Sequence, residues 1–183
     1  MRNVMTRWAT LDDAEGIARV HIAAWQAAYR GLLPDDVLDG LDVSRRTRSW
    51  SRWLTASAAG EPTDDSSPVS HRLLVAETGA RIVGWAGFGA GRDEGAAHLG
   101  ELAGFYVHPL HWGRRVGHAL LVDVEQELLA ARFEAAYLWV LRGNSRAVEF
   151  YERHGWHADG TGKTGAAGGA NGLHELRHRR QLG

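Results

Sequence analysis

The chain has 183 residues, a formal net charge of −1, 23 glycines, eight tryptophans and no cysteine, a length that fits one domain. The missing cysteine excludes disulfides, thiolate metal centres and a cysteine nucleophile, and the near-neutral charge removes any bulk electrostatic case for nucleic acid. No apolar run reaches the ~18 residues of a membrane span and residues 1–11 lack a signal-peptide pattern, so a cytoplasmic protein without a membrane partner is expected. Val4–Ala9 reads as a short strand. Thr10-Leu-Asp-Asp13 resembles a capping box with Asp at the fourth position, and Ile17, Val20, His21, Ala24 and Ala28 recur at helical spacing, predicting a helix over 11–28. Gly31–Pro34 breaks it, and Asp35–Leu41 and Ser44–Ala56 read as two further helical pieces. Residues 58–70 lack periodicity and are rich in small, acidic and proline residues, the composition of a flexible loop.

Arg72–Glu77 and Arg81–Phe88 form a hairpin signal around Thr78–Ala80. Gly84 and Gly87 inside the second run point to a bulge or a close backbone approach. A glycine-rich link leads to a strand over Leu99–Val107, which His108-Pro109 ends. Trp112–Arg132 carries Val116, Leu120, Val124 and Leu128 on one helical stripe, Ala135–Leu141 is a buried strand, and Asn144 is placed to cap a helix that Gly155 stops. A strand begins at Trp156, residues 160–172 read as a second flexible loop, and Leu173–Arg180 alternates as a final strand. The order is that of an α/β chain with antiparallel hairpins in the middle.

The chemistry concentrates where the strand ending at Val107 runs through a glycine-containing turn into the long helix. The first amides of a helix lack internal partners and carry the positive end of its dipole, so such a turn suits phosphate. Gly113 permits an unusual backbone path there and Gly117 a close approach; taken alone, the same features also describe a tight turn and helix packing. Phe105-Tyr-Val-His-Pro109 followed by Trp112-Gly-Arg-Arg-Val-Gly117, and then Asn144-Ser-Arg-Ala-Val-Glu-Phe-Tyr151 leading to Gly155-Trp156, give a more specific pattern. Together they resemble the two core motifs of the GNAT superfamily of acetyl-CoA-dependent N-acetyltransferases. The departures are Trp112 where that family carries Gln or Arg, Arg115 where it carries glycine, and Trp156 for a phenylalanine. Leu11–Asp13 and Trp25–Pro34 also look like that family's first helix and loop, so the likeness covers nearly the whole chain, 1–183.

The resemblance implies an α/β (α+β) fold: a mixed, mostly antiparallel sheet of six to seven strands flanked by about four helices, with two strands splayed at the cofactor site. It implies acetyl-CoA as cosubstrate, with Tyr106 and Val107 on the pantetheine and the turn Trp112, Gly113, Arg114, Arg115, Val116, Gly117 and His118 around the pyrophosphate. The Arg115 side chain either crowds the phosphates or adds a contact to them. Asn144 either caps its helix or also touches the pantetheine arm. By the same resemblance Tyr151 protonates the departing thiolate and Glu101 takes the acceptor's proton, unless Glu101 is only a solvated strand end. With no cysteine to carry an acetyl group, direct attack by a primary amine in a ternary complex is the expected route. The acceptor is expected to be a small-molecule amine, with a peptide or protein acceptor, or a non-catalytic acyl-CoA-binding module, as alternatives. A monomer or homodimer is expected.

Trp25 and Tyr29 lie one helical turn apart and, with Trp85, either wall the acceptor pocket or pack in the core. Gly160–Thr164 lacks the leading glycine of a P-loop, the three histidine pairs lack carboxylate companions, and Arg177–Arg180 is a short basic run, so no nucleoside triphosphate, metal or nucleic acid is expected. Arg45, Arg46, Arg48 and Arg52 either steer an anion or form a solvated helix face.

Overall fold

A computed structural model describes residues 4–65, 67–167 and 170–183. Its seven strands are β1 (Met5–Trp8), β2 (Arg72–Thr78), β3 (Arg81–Ala90), β4 (Gly100–Val107), β5 (Ala135–Leu141), β6 (His157–Ala167) and β7 (Ala170–Gln181). Its five α-helices are α1 (Ala14–Ala28), α2 (Asp35–Asp39), α3 (Val43–Ala59), α4 (Val116–Ala130) and α5 (Ser145–Arg153). The strands form one sheet in the order β1-β2-β3-β4-β5-β7-β6, antiparallel except for the pair β4–β5.

Alternation along the central strands fills two layers. Leu74, Ala76, Ala86 and Phe88 face α4, where Val116, Leu120, Val124 and Leu128 supply the matching stripe. Leu73, Val75 and Trp85 face the opposite way, against Ile17 and Val20 of α1 and Trp50 and Leu54 of α3. Gly84 and Gly100 mark tight points of the first layer: a Cβ there would lie 2.9 Å from Leu120 Cδ1 or Leu128 Cδ2 of α4, which would have to shift. The bulge expected in this strand lies at Val83, beside Gly84, where Ala76↔Gly84 is followed by Glu77↔Ile82; a second register shift, opposite Gly87 and Phe88, puts its extra residue on β4. Trp156 is fully buried, its indole N–H donating to Glu125 of α4 at 2.8 Å.

The expected helix start at Thr10 is present. The Asp13 carboxylate accepts from the Thr10 amide at 2.8 Å and pairs with Arg7 of β1, and a single 3₁₀ turn, Leu11–Asp13, precedes α1. The predicted helix 112–132 begins only at Val116, because Gly113 and Arg115 both adopt left-handed backbone. Residues 61–71 carry no helix or strand among those described, yet Asp64 pairs with Arg92 at 2.8 Å. The expectation of a loop over 160–172 is corrected. Strands β6 and β7 pair from His157↔Arg179 to Ala167↔Ala170, and residues 168–169 lie outside those described. The P-loop-like Gly160–Thr164 lies inside β6.

Candidate active site

Strands β4 and β5 pair only through Gly100↔Ala136, Glu101↔Tyr137 and Leu102↔Leu138. Beyond that they part while each continues, β4 to Val107 and β5 to Leu141. The unpaired edges border a cleft of about 610 Å³ that joins the two faces of the sheet, a size suited to a small-molecule ligand. On one face its wall includes Gly117 and His118 of α4 and Phe150 and Tyr151 of α5. On the other it includes Trp25 and Tyr29 of α1, Leu173 and Glu175 of β7 and Lys163 of β6.

The end of β4 is fixed from both sides. The His108 amide donates to Val83 O of β3 at 2.8 Å, so by strand alternation the Val107 amide and carbonyl face the cleft. The Trp112 indole N–H occupies that carbonyl at 2.8 Å, leaving the amide as the group this residue offers to a ligand. Trp112 is itself covered by the Arg146 guanidinium, 4.1 Å from the ring centroid. A tryptophan at this position therefore pins the strand end.

Gly113 (φ 70°) has open space where a Cβ would stand, and Arg115 takes φ 63°, ψ 8° as N-cap of α4. Such backbone favours the glycine that the resemblance puts at position 115, since an L side chain in left-handed backbone costs ~1–2 kcal/mol. The 15-residue helix then presents the amides of Val116, Gly117 and His118 without intrahelical acceptors, a cradle that fits a pyrophosphate. Gly113, Arg115, Val116, Gly117 and His118 all border the cleft; Arg114, expected with them, does not. Gly117 also meets a packing demand, since a Cβ there would stand 3.2 Å from the Phe150 ring. Asn144 caps α5, its side-chain oxygen accepting from the Ala147 amide at 3.2 Å, and also borders the cleft.

Tyr151 is buried in the cleft wall, and burial pushes its phenol well above the usual tyrosine range. It keeps its proton at physiological pH, as a proton donor must. Tyr106 points to the other face, stacked on the His21 ring (5.3 Å between centroids, 11° between planes), with its hydroxyl 3.2 Å from that of Tyr29. Burial raises both of those phenols.

Two expectations change. Trp85 is 3% exposed and does not border the cleft; it packs against Trp50 and over Gly104, where a Cβ would sit 2.7 Å from its ring. It lies on the α1 face of the sheet, covered by α3, so of the two expectations core packing holds. Glu101 is no solvated strand end. It is 3% exposed, and its two carboxylate oxygens accept from the Arg92 guanidinium at 2.8 and 3.0 Å and from the Arg92 amide at 2.9 Å. His71 lies 4.0 Å away. Burial acts to raise its pKa, but the bonds to Arg92 overcome this and hold it below the usual carboxylate range. Glu101 also borders the cleft.

Four further side chains that border the cleft were not singled out from the sequence: Glu175, Lys163, Trp139 and Arg92. Only the β6–β7 pairing and the β4–β5 splay bring them together, and neither has a local motif. Of the arginines on α3, Arg48 and Arg52 are exposed, while Arg46 is half-buried, 6.0 Å from the Trp25 ring centroid. Among the described residues no group of three or more His, Cys, Asp or Glu could hold a metal ion, and no helix is long and apolar enough to cross a membrane.

Comparison with known proteins agrees with this geometry. Residues 41–156 match the model of the acetyltransferase (GNAT) family. The N-acetyltransferase YuaI of Bacillus subtilis (strain 168), itself uncharacterized, is 26% identical over 151 residues, 82% of this chain and 79% of its own. The PaiA N-acetyltransferase of Thermoplasma acidophilum, solved in complex with coenzyme A, superposes with a TM-score of 0.76 at 16% identity, covering 98% of this chain and 99% of that one. A ribosomal-protein-alanine N-acetyltransferase from Brucella melitensis gives 0.69 at 21% identity, over 97% and 99%. At these identities the two structures speak for the fold. The match to the family model covers most of the chain, which therefore belongs to the GNAT family and is an acetyl-CoA-dependent N-acetyltransferase.

Proposed function

We propose that the chain transfers the acetyl group of acetyl-CoA to the primary amine of a small molecule with an apolar body, by direct attack in a ternary complex. The observation that carries this reading is the single cleft through the splayed strands, with an anion cradle at one end and aromatic and aliphatic walls at the other. The amides of Val116, Gly117 and His118 hold the pyrophosphate, and the free edge of β4 lies along the pantetheine arm. The Val107 amide polarises the thioester carbonyl, stabilising the charge that develops on its oxygen. Tyr151 supplies the proton to the departing sulfur. Trp25, Tyr29, Leu33, Leu141 and Leu173 surround the acceptor's body, and the rings of Trp25 and Tyr29 favour a cationic group before it loses its proton. The absence of cysteine supports direct attack over an acyl-cysteine route.

The test is thiol release from acetyl-CoA with a panel of alkyl and aryl amines, amino acids and short peptides, products identified by mass. Release that saturates with apolar amines supports the reading. A preference for peptides with a free N-terminus transfers the assignment to a peptide acceptor, the class named for the Brucella neighbour. Tight acetyl-CoA binding with no release for any acceptor marks a binding module instead.

A further inference from the structure

Glu175 stands on β7 opposite Leu141, where β5 has already parted from β4, and opposite Lys163 on β6. With Leu173 it faces the α1 side of the sheet, and its side chain borders the acceptor end of the cleft with Trp25, Tyr29, Trp139 and Lys163. Lys163 Nζ lies 4.0 Å from its carboxylate and 3.8 Å from that of Asp93, so one cation is shared between two carboxylates. The charged and titratable groups facing Glu175 are Lys163 from β6, Asp93 from the β3–β4 connection, Tyr29 from α1 and Tyr106 from β4. Among the described residues no hydrogen bond holds this carboxylate, in contrast to the three that fix Glu101.

We infer that Glu175, rather than Glu101, is the carboxylate that receives the acceptor's ammonium and takes its proton. The assignment rests on the amine-acceptor reading above. The ammonium gives one proton to Glu175, which passes it to solvent. The neutral nitrogen attacks the thioester carbonyl, forming a C–N bond as the C–S bond breaks. Tyr151 gives its proton to the sulfur and recovers one from the acetylated nitrogen. One ammonium and one acetyl thioester thus yield one N-acetyl amine, one free thiol and one proton. Burial raises the Glu175 pKa, with Lys163 opposing and Asp93 assisting, which moves the group toward the working pH of a general base. Glu101 with Arg92 then acts as a positioning pair that fixes the start of β4.

The experiment is a pH profile of kcat/KM for the full chain and its variants, with acetyl-CoA affinity followed by tryptophan fluorescence. Glu175→Gln is expected to lose ~100-fold or more in kcat/KM and the ascending acid limb, with acetyl-CoA affinity within about twofold. Glu175→Asp keeps the limb with lower kcat. Lys163→Met removes the opposing cation and moves the limb up by roughly one pH unit. Glu101→Gln keeps the limb. An active parent whose Glu175→Gln variant keeps both rate and limb, or whose Glu101→Gln variant alone loses the limb, overturns the Glu175 assignment and leaves the amine-acceptor reading standing. A parent that binds acetyl-CoA but releases no thiol with any amine overturns both.

Discussion

Single side chains decide the cofactor end. Tyr151→Phe removes the proposed proton donor while keeping the ring in its place beside Phe105 and Phe150. It is expected to lower kcat by ~100-fold or more with acetyl-CoA affinity unchanged; steady-state kinetics beside a binding isotherm checks this, and an undiminished kcat removes the acid role. Arg115 combines two opposed effects. Its left-handed backbone costs ~1–2 kcal/mol, of which a glycine's extra unfolded-state freedom returns part. Its side chain borders the anion cradle. Arg115→Gly is therefore expected to raise the melting temperature by ~1–4 °C while weakening acetyl-CoA binding in a salt-dependent way. Tighter binding instead identifies the side chain as an obstruction. The motif made this residue conspicuous, because a glycine position carried a side chain. That Trp112 holds the Val107 carbonyl had no such signal, since the bond depends on how the turn folds back.

Secondary-structure elements explain where sequence reasoning worked and where it did not. Ala135–Leu141 and the helix after Asn144 were legible because a buried strand and a capped amphipathic helix each carry their signal locally. The long helix was legible in its stripe but misplaced at its start, since no periodicity reports two left-handed residues. The β6–β7 hairpin was hidden. Its glycine and alanine residues are poor strand formers, and cross-strand partners such as Lys163↔Glu175 hold it instead. The acceptor-side charges were lost with it. The pair Arg92–Glu101 ties the β3–β4 connection to β4. Glu101 lies below its ordinary pKa in the folded chain, so its contribution is complete above the unfolded value near 4.3 and disappears as pH falls through the folded one. Arg92→Met leaves this carboxylate buried and unpaired, at a cost of ~3–5 kcal/mol, and moves acid unfolding to higher pH. An acid-unfolding curve identical to the parent's shows the pair to be energetically idle.

Across the whole molecule, α1 and α3 close over one face of the sheet around a buried histidine. His21 is 7% exposed among Trp25, Trp50, Trp85 and Tyr106, and neither ring nitrogen has a partner among the described residues. Burial, with the Arg46 charge adding to it, lowers its pKa to about 3. Since the unfolded value is near 6.5, stability is complete above that pH and falls by up to ~1.4 kcal/mol per pH unit below it, toward pH 3. Between pH 7.5 and 5.5 His21 is expected to remove about 1–1.5 kcal/mol, and His21→Leu to flatten that dependence in urea unfolding at the two pH values; parallel losses in parent and variant contradict it. This aromatic layer also carries the rear wall of the acceptor end, since Trp25 and Tyr106 belong to both. Fold and proposed chemistry thus meet in one cleft, which the proposed function fills with an amine entering opposite the cofactor. The most direct measurement is thiol release from acetyl-CoA with a graded amine panel. The structure predicts saturable release with primary amines of apolar body, and weak release when a carboxylate sits beside the amine. Bound acetyl-CoA that stays intact with every amine would contradict it.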